Sequence, residues 1–98
     1  MEIEGKREYP NNIVYATHGG IIIELDNSMD GQRIHIFHPS NSYIEIGPEG
    51  DMIIKNNQNK FTIVEQDDNE LVKNNKNTTV KNNYNVFVKN NKNIIIEK

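Results

Sequence analysis

Two histidines are the first residues whose type and spacing could do chemistry, because imidazole is a common metal ligand. His35 and His38 lie three positions apart in one predicted strand. Side chains alternate along a strand, so the two rings face opposite sides and cannot readily share one ion within a chain. His38 shares a face with Ile34 and Ile36. If three copies of the chain assembled around one axis, their His38 side chains could meet near it. A structural role is the better interpretation of both histidines, and no metal-binding residue is predicted.

Two carboxylates form the second candidate. Glu24 and Asp26 lie two positions apart and therefore share a strand face. Such a pair can perform acid–base catalysis, but it needs a cleft and perturbed pKa values, and a small meander offers little cleft. The chain has no cysteine, no Ser-His-Asp order and no phosphate loop. We therefore interpret the pair as solvated, and we predict no catalytic or cofactor-binding residue and no enzymatic activity in this chain.

A column of lysines is the third candidate. Lys73, Lys81 and Lys89 recur at intervals of eight residues. Repeated around an assembly, such a column could bind anionic lipid or nucleic acid. The lysines are interleaved with asparagines, and the net charge of the whole chain is −3. A solvated face is therefore the default interpretation, and no nucleic-acid binding is expected.

Composition limits what kind of fold can position these residues. The chain has 98 residues, of which 35% are hydrophobic, and it has no tryptophan. A lone chain of this size and composition would struggle to bury a sufficient core, so it is expected to be disordered or to depend on partners. Its longest apolar runs, such as 21–23, have the length of a strand, and none approaches the ~20 residues of a membrane span.

The C-terminal part of the chain follows an eight-residue repeat. This period suits a short strand with a sharp bend, and it does not suit a helix. Each anchor from Val72 to Val88 is followed by a lysine and an asparagine pair, which we predict to form the bend because Asn tolerates left-handed backbone angles. The ten-residue spacing from Ile54 to Val64 predicts a two-residue insertion near Lys60 and Phe61. The apolar anchors of the repeat are Val64, Val72, Val80, Val88 and Ile96.

One octad is too short to close a coil in a single chain, but it can form one side of a triangle. Three chains wound together would each supply one side per layer, with the anchors meeting on a central axis and no free sheet edges along the length. The repeat therefore predicts an intertwined trimeric triple-stranded β-helix, or β-prism. An Asn-rich low-complexity tail and a single-chain solenoid of three octads per coil remain alternatives. No cofactor is expected, although the lumen could trap an ion or a small lipid near Val86, Val88, Ile94 and Ile96.

The part before the repeat alternates short apolar runs with turn residues. Consecutive runs joined by tight turns predict an antiparallel meander, with a hairpin loop that ends at Asp30-Gly31. The predicted fold class is all-β, a short antiparallel meander followed by the β-prism. The predicted strands are 21–25, 32–38, 43–46 and 52–55. The predicted organisation is an N-terminal arm or linker at 1–17, the meander at 18–55 and the octad repeat at 56–98.

Three consecutive blocks resemble the central spike of contractile-tailed bacteriophages. They are Gly20 to Asp26, Asp30 to Ile36 and His38 to Ile46, and the octads follow them. The resemblance covers about residues 9–98, and it extends to the valine-glycine repeat spike of type VI secretion. In two features the chain departs from the family pattern. Ile21 stands where the family has His, and the usual glycine of the repeat is replaced by Asn74, Asn82 and Asn90.

The resemblance implies a homotrimeric, membrane-piercing needle at the tip of the tail baseplate in the virion, acting mechanically during sheath contraction and genome delivery. It implies a baseplate hub on the N-terminal side, a conical tip protein at the C-terminal end and transient contact with the host outer membrane. The chain is expected to be a C-terminal fragment, so any lysozyme domain would lie outside it. The alternatives are the spike of a type VI secretion or related contractile injection system, and a trimeric fibre or adhesin tip.

Overall fold

Six strands form one antiparallel sheet in the first part of the molecule. The computed structural model describes residues 5–8 and 12–98. Every strand pairs with the next along the chain, so the sheet is a simple meander, and no helix forms in the described residues. The predicted all-β class and the meander are confirmed. The strands are β1 (Gly5–Glu8), β2 (Asn12–Ala16), β3 (Ile22–Asp26), β4 (Arg33–His38), β5 (Ser42–Ile46) and β6 (Met52–Lys55).

The last four strands agree with the sequence prediction to within one residue at each end, but the first two were not predicted. Both lie in the segment 1–17, which the sequence suggests is an arm or linker. That interpretation needs correction where β2 pairs with β3, with Ile13 opposite Leu25 and Tyr15 opposite Ile23. Only four apolar residues in a row, 13–16, mark β2, so pairing with a strongly apolar neighbour decides its structure. Residues 1–4 and 9–11 of the predicted arm lie outside the described residues.

The turns between strands hold the residues that the sequence suggests for them. Asp30 has a φ of 62° in the β3–β4 loop, and Asn41 has a φ of 73° between β4 and β5. Both are short polar residues of the kind that tolerates the left-handed region. Between β5 and β6, Gly50 has a φ of 93°, where its missing Cβ avoids strain, and its amide donates to the Gly47 carbonyl at 3.0 Å.

The chain divides into two units, Met1–Ile63 and Val64–Lys98. Within 64–98, all of which the structure describes, there is no strand and every residue is exposed. Its backbone bends at regular intervals, at 65–66, 73–74, 81–82 and 89–90, directly after the anchors from Val64 to Val88. In the last three repeats the bend covers the lysine and the first asparagine, one residue before the asparagine pair where the sequence predicted it. The intertwining of three chains stays a prediction.

Two details of the predicted repeat are wrong. A bend at 57–58 already stands eight residues before the bend at 65–66, so no two-residue insertion interrupts the period near Lys60 and Phe61. The apparent slip comes from counting from Ile54, which belongs to β6 and is not a repeat anchor. The bends also do not use left-handed asparagines. Among the described residues other than glycine, a positive φ is confined to Asp30 and Asn41.

Candidate assembly surface

One face of the sheet is apolar across β2 to β6. Cross-strand register places Tyr15 and four isoleucines in one continuous row, and five further apolar side chains in the row beside it. We call these two rows the isoleucine face. Such rows form because side chains at every second position of each strand point to the same side. The first row is Tyr15, Ile23, Ile36, Ile44 and Ile54, and the second is Ile13, Leu25, Ile34, Ile46 and Met52.

Nothing within the described part of the chain covers the isoleucine face. Ile44 is 37% exposed, Ile36 is 41% exposed and Met52 is 58% exposed, and none of residues 12–98 is buried. A sheet with one apolar face is stable only when a second layer covers that face. A contiguous apolar surface of this kind marks a site of protein association or membrane contact. The isoleucine face is therefore the candidate assembly surface of the first unit.

The opposite face of the sheet carries a network of charged side chains centred on Arg33. Arg33 donates from Nη2 to Glu24 Oε1 at 2.6 Å and from Nη1 to Glu45 Oε1 at 3.1 Å. Asn12 Nδ2 donates to the second oxygen of Glu24 at 3.2 Å. His35 contacts the rings of Phe37 and Tyr43, and its buried Nδ1 is 3.4 Å from Glu45 Oε1 without a hydrogen-bond partner in the described residues. We call this side of the sheet the charged face, and the side chains of its ion pairs are a fifth to a third exposed.

The structure separates the residues that the sequence singled out. His35 is on the charged face and His38 is on the isoleucine face, as their spacing predicted. Glu24 and Asp26 share the charged face but bind different partners, Glu24 with Arg33 and Asp26 with Ser28. In the described part of the chain, no three His, Cys, Asp or Glu residues are placed to hold a metal ion. Sequence reasoning missed Arg33, although its position opposite Asp26 and between two acidic strands was readable from the meander register.

Asp26 has a distinct electrostatic setting at the start of the β3–β4 loop. Its Oδ1 accepts hydrogen bonds from the Ser28 hydroxyl at 2.6 Å and from the Ser28 amide at 2.9 Å. The Ser28 hydroxyl, then the Ser28 amide and finally the nearby Arg33 charge hold the pKa of the Asp26 carboxyl below its usual value. These contacts stabilise the ionised carboxylate and fix the loop, and they place no reactive group beside it.

A polar network at one end of the sheet joins the β4–β5 turn to the first bend of the chain's repeat. Ser40 Oγ lies 2.8 Å from His38 Nδ1, and it donates to Ser42 Oγ at 3.2 Å. The amide of Asn57 donates to Ser42 Oγ at 3.0 Å, and the Asn57 side chain donates to the Ser40 carbonyl at 2.9 Å. Beside this network lies an open groove of about 440 Å³, which the end of the isoleucine face and Lys60 line. His38 is thus occupied by a structural role.

The anchor valines form a second candidate assembly surface. It lies within the second unit, Val64–Lys98, which we call the octad unit. Val64, Val72, Val80 and Val88 are 45–48% exposed, which is a similar value in every repeat. The apolar residues directly before them are much more exposed, for example Leu71 at 82%. The anchors therefore share one environment along the unit, on its less exposed side. Ile96, the last anchor, is 89% exposed and departs from this pattern.

The chain thus combines an antiparallel all-β meander, an uncovered apolar face and an eight-residue repeat of apolar anchors. No family model matches the chain. Comparison with curated proteins confirms the resemblance to phage baseplate spike proteins. Within the described residues, no helix has the length and apolar character that crossing a membrane requires.

The similar proteins are two phage proteins, one of which is a central spike protein by name. "Protein Gp5" of Vibrio phage KVP40 is 32% identical over 62 residues, which make up 63% of this chain and 15% of that protein. "Pre-baseplate central spike protein Gp5" of Enterobacteria phage T4 is 34% identical over 67 residues, which make up 68% of this chain and 12% of that protein. The chain thus spans less than a sixth of the length of either relative. The name of the T4 relative confirms the predicted location in the phage tail baseplate.

Proposed function

We propose that this chain forms part of a homotrimeric central spike that pierces the host outer membrane mechanically when the tail sheath contracts. The observation that carries the proposal is the pair of uncovered apolar surfaces, the isoleucine face and the anchor valines. Both are explained if three copies meet around one axis. The charged face then remains in water, where its ion pairs are already satisfied.

In the proposed assembly, the octads of three chains wind into a triple-stranded β-helix. Each anchor then meets its two copies on the axis, and cross-chain hydrogen bonds leave no free edge along the rod. Each layer advances the rod by about one strand spacing, ~4.8 Å. A rod of this kind resists bending and unfolding because every layer is bonded to its neighbours. Force transmission, and no enzymatic step, is the proposed work of this segment.

The proposed partners follow from the direction in which the chain runs along the spike, from its N-terminal to its C-terminal end. A baseplate hub would hold the N-terminal side, a conical tip protein would cap the C-terminal end, and the host outer membrane would be contacted only transiently. The phage names of both relatives favour a phage tail over a bacterial secretion spike or an adhesin fibre. We propose no bound cofactor for this segment.

The oligomeric mass in solution tests the proposal directly. We expect light scattering to give three times the chain mass of 11.3 kDa, and we expect the trimer to withstand detergent without heating. A monomer at 11.3 kDa would overturn the proposal, because one chain cannot cover either apolar surface.

A matched pair of variants tests the isoleucine face. Ile54 belongs to this face and Ile53, its neighbour, points to the other side, and the two are 55% and 48% exposed. We expect Ile54→Asn to weaken the trimer, because an amide would be buried without a partner. We expect Ile53→Asn to leave the trimer intact, as judged by light scattering over a dilution series. Equal behaviour of the two variants would contradict the assignment of this face as the interface.

A further inference from the structure

The octad unit separates its charges along the chain. Residues 65–70 contain four acidic residues and no basic ones, whereas residues 71–96 contain five lysines and no acidic residue. The overall charge of −3 hides this division. A segment with five lysines and no acidic residue of its own attracts an anionic surface. The lysines of this basic segment are Lys73, Lys76, Lys81, Lys89 and Lys92.

A second column of residues in the same segment is apolar. It contains Leu71, Phe87 and Ile95, with Thr79 between them, each directly before an anchor. Leu71, Phe87 and Ile95 are 82%, 85% and 83% exposed. Neighbouring residues of an extended chain point to opposite sides, so this outer column faces outward when the anchors face a trimer axis. Burial between three chains therefore does not account for it.

The lysines near the outer column are available to a partner. Lys73, Lys81 and Lys89 are exposed and form no ion pair within the described part of the chain. Lys76 differs, since it pairs with Glu70. Tyr84 adds an aromatic side chain that is 71% exposed. Apolar and aromatic side chains that would sit among lipids, flanked by lysines that pair with headgroups, are the chemistry of a membrane interface.

We propose that the outer column and the unpaired lysines of residues 71–96 form a surface that binds anionic lipid bilayers. The inference rests on the proposed trimer, because the trimer turns the anchors inward and the outer column outward. It adds a property that a purely mechanical needle does not need, namely affinity for the membrane that it crosses. A bilayer is favoured over nucleic acid because phosphate contacts alone would leave the apolar column without a partner.

Vesicle flotation tests this surface with the full chain. We expect the protein to float with vesicles that contain phosphatidylglycerol and not with phosphatidylcholine vesicles, and we expect added salt to weaken the binding. Replacing Lys73, Lys81 and Lys89 together by Gln should lower the partition coefficient roughly 100-fold, whereas replacing them by Arg should preserve it. Phe87→Ser should lower it roughly tenfold, while Phe61→Ser, at an apolar residue 81% exposed outside the segment, should not.

Thr79 provides a test that does not depend on removing native contacts. Thr79→Leu completes the outer column and should strengthen flotation, and Thr79→Asp should weaken it while the protein remains trimeric. A trimer by light scattering that fails to float would overturn this inference and leave the proposed spike standing. A monomer would overturn the proposed spike first. Equal binding to vesicles and to duplex DNA, with no effect of Phe87→Ser, would show general polyanion binding and would also overturn it.

Discussion

Arg33 links three strands of the sheet through two carboxylates. Its two terminal nitrogens donate to Glu24 on β3 and Glu45 on β5, and about a third or less of each of these side chains is exposed. Arg33→Ala would leave two like charges facing each other, and we expect it to lower the free energy of unfolding by about 1–2 kcal/mol. Arg33→Lys keeps the charge without the planar fork and should cost less. Urea denaturation at one fixed protein concentration measures both, and wild-type stability in both variants would contradict this role.

Asp26 should make stability depend on pH in a defined direction. Its carboxyl has a pKa lowered by the Ser28 hydrogen bonds and by Arg33, from an ordinary value of 3.8. A group with a depressed folded pKa contributes its stability above the ordinary pKa and loses it as the pH falls through the folded value. We therefore expect wild type to exceed Asp26→Asn in thermal stability at neutral pH, with the difference shrinking below about pH 4. A difference that stays constant down to pH 2 would contradict the assignment, and Glu49→Asn, at an exposed turn position, serves as the control.

At the scale of the element, two kinds of asparagine turn can be told apart by substitution with glycine. Asn41 has a φ of 73°, whereas Asn82 lies at a repeat bend without a positive φ. Asn41→Gly should leave stability nearly unchanged and Asn41→Ala should cost about 1 kcal/mol. Asn82→Gly should cost about 0.5 kcal/mol, because glycine raises the entropy of the unfolded chain without relieving strain. A stabilising effect of Asn82→Gly would instead support left-handed bends in the assembled protein.

The elements also show where sequence reasoning succeeds and where it fails. Alternating isoleucines bounded by turn residues correctly predicted β3 to β6, because strand periodicity is a local property. The same periodicity correctly predicted that His35 and His38 lie on opposite faces. The strand β2 depends on pairing with β3 and was missed for that reason. The contribution of Arg33 depends on register between three strands. The backbone angles of the asparagine bends were predicted wrongly, because Asn tolerates left-handed angles but does not require them.

At the scale of the whole molecule, the chain is built so that one copy is incomplete. Only 35% of its residues are hydrophobic, yet those residues are concentrated in the isoleucine face and the repeat columns. In the described residues, a single copy buries none of them fully. In the proposed trimer, a shared core would explain how a polar chain forms a stiff structure, since three copies would pack the same few side chains together. On this view, folding of the octads and trimer assembly are one process, and stability should rise with protein concentration.

The last prediction tests whether the anchors face the axis of the proposed trimer while the outer column faces water. Val80 is an anchor that is 45% exposed in one chain, and Thr79 is its neighbour in the outer column. Val80→Asp would bring three unpaired carboxylates together in the core, so we expect loss of the trimer at neutral pH and partial recovery below about pH 4, where the carboxyls are neutral. Thr79→Asp places the same charge one residue away, in water, and should leave the trimer intact at every pH. Light scattering across the pH range measures both variants. If Val80→Asp stayed trimeric at neutral pH, the anchors could not lie on the axis, and the octads would have to assemble through their other side.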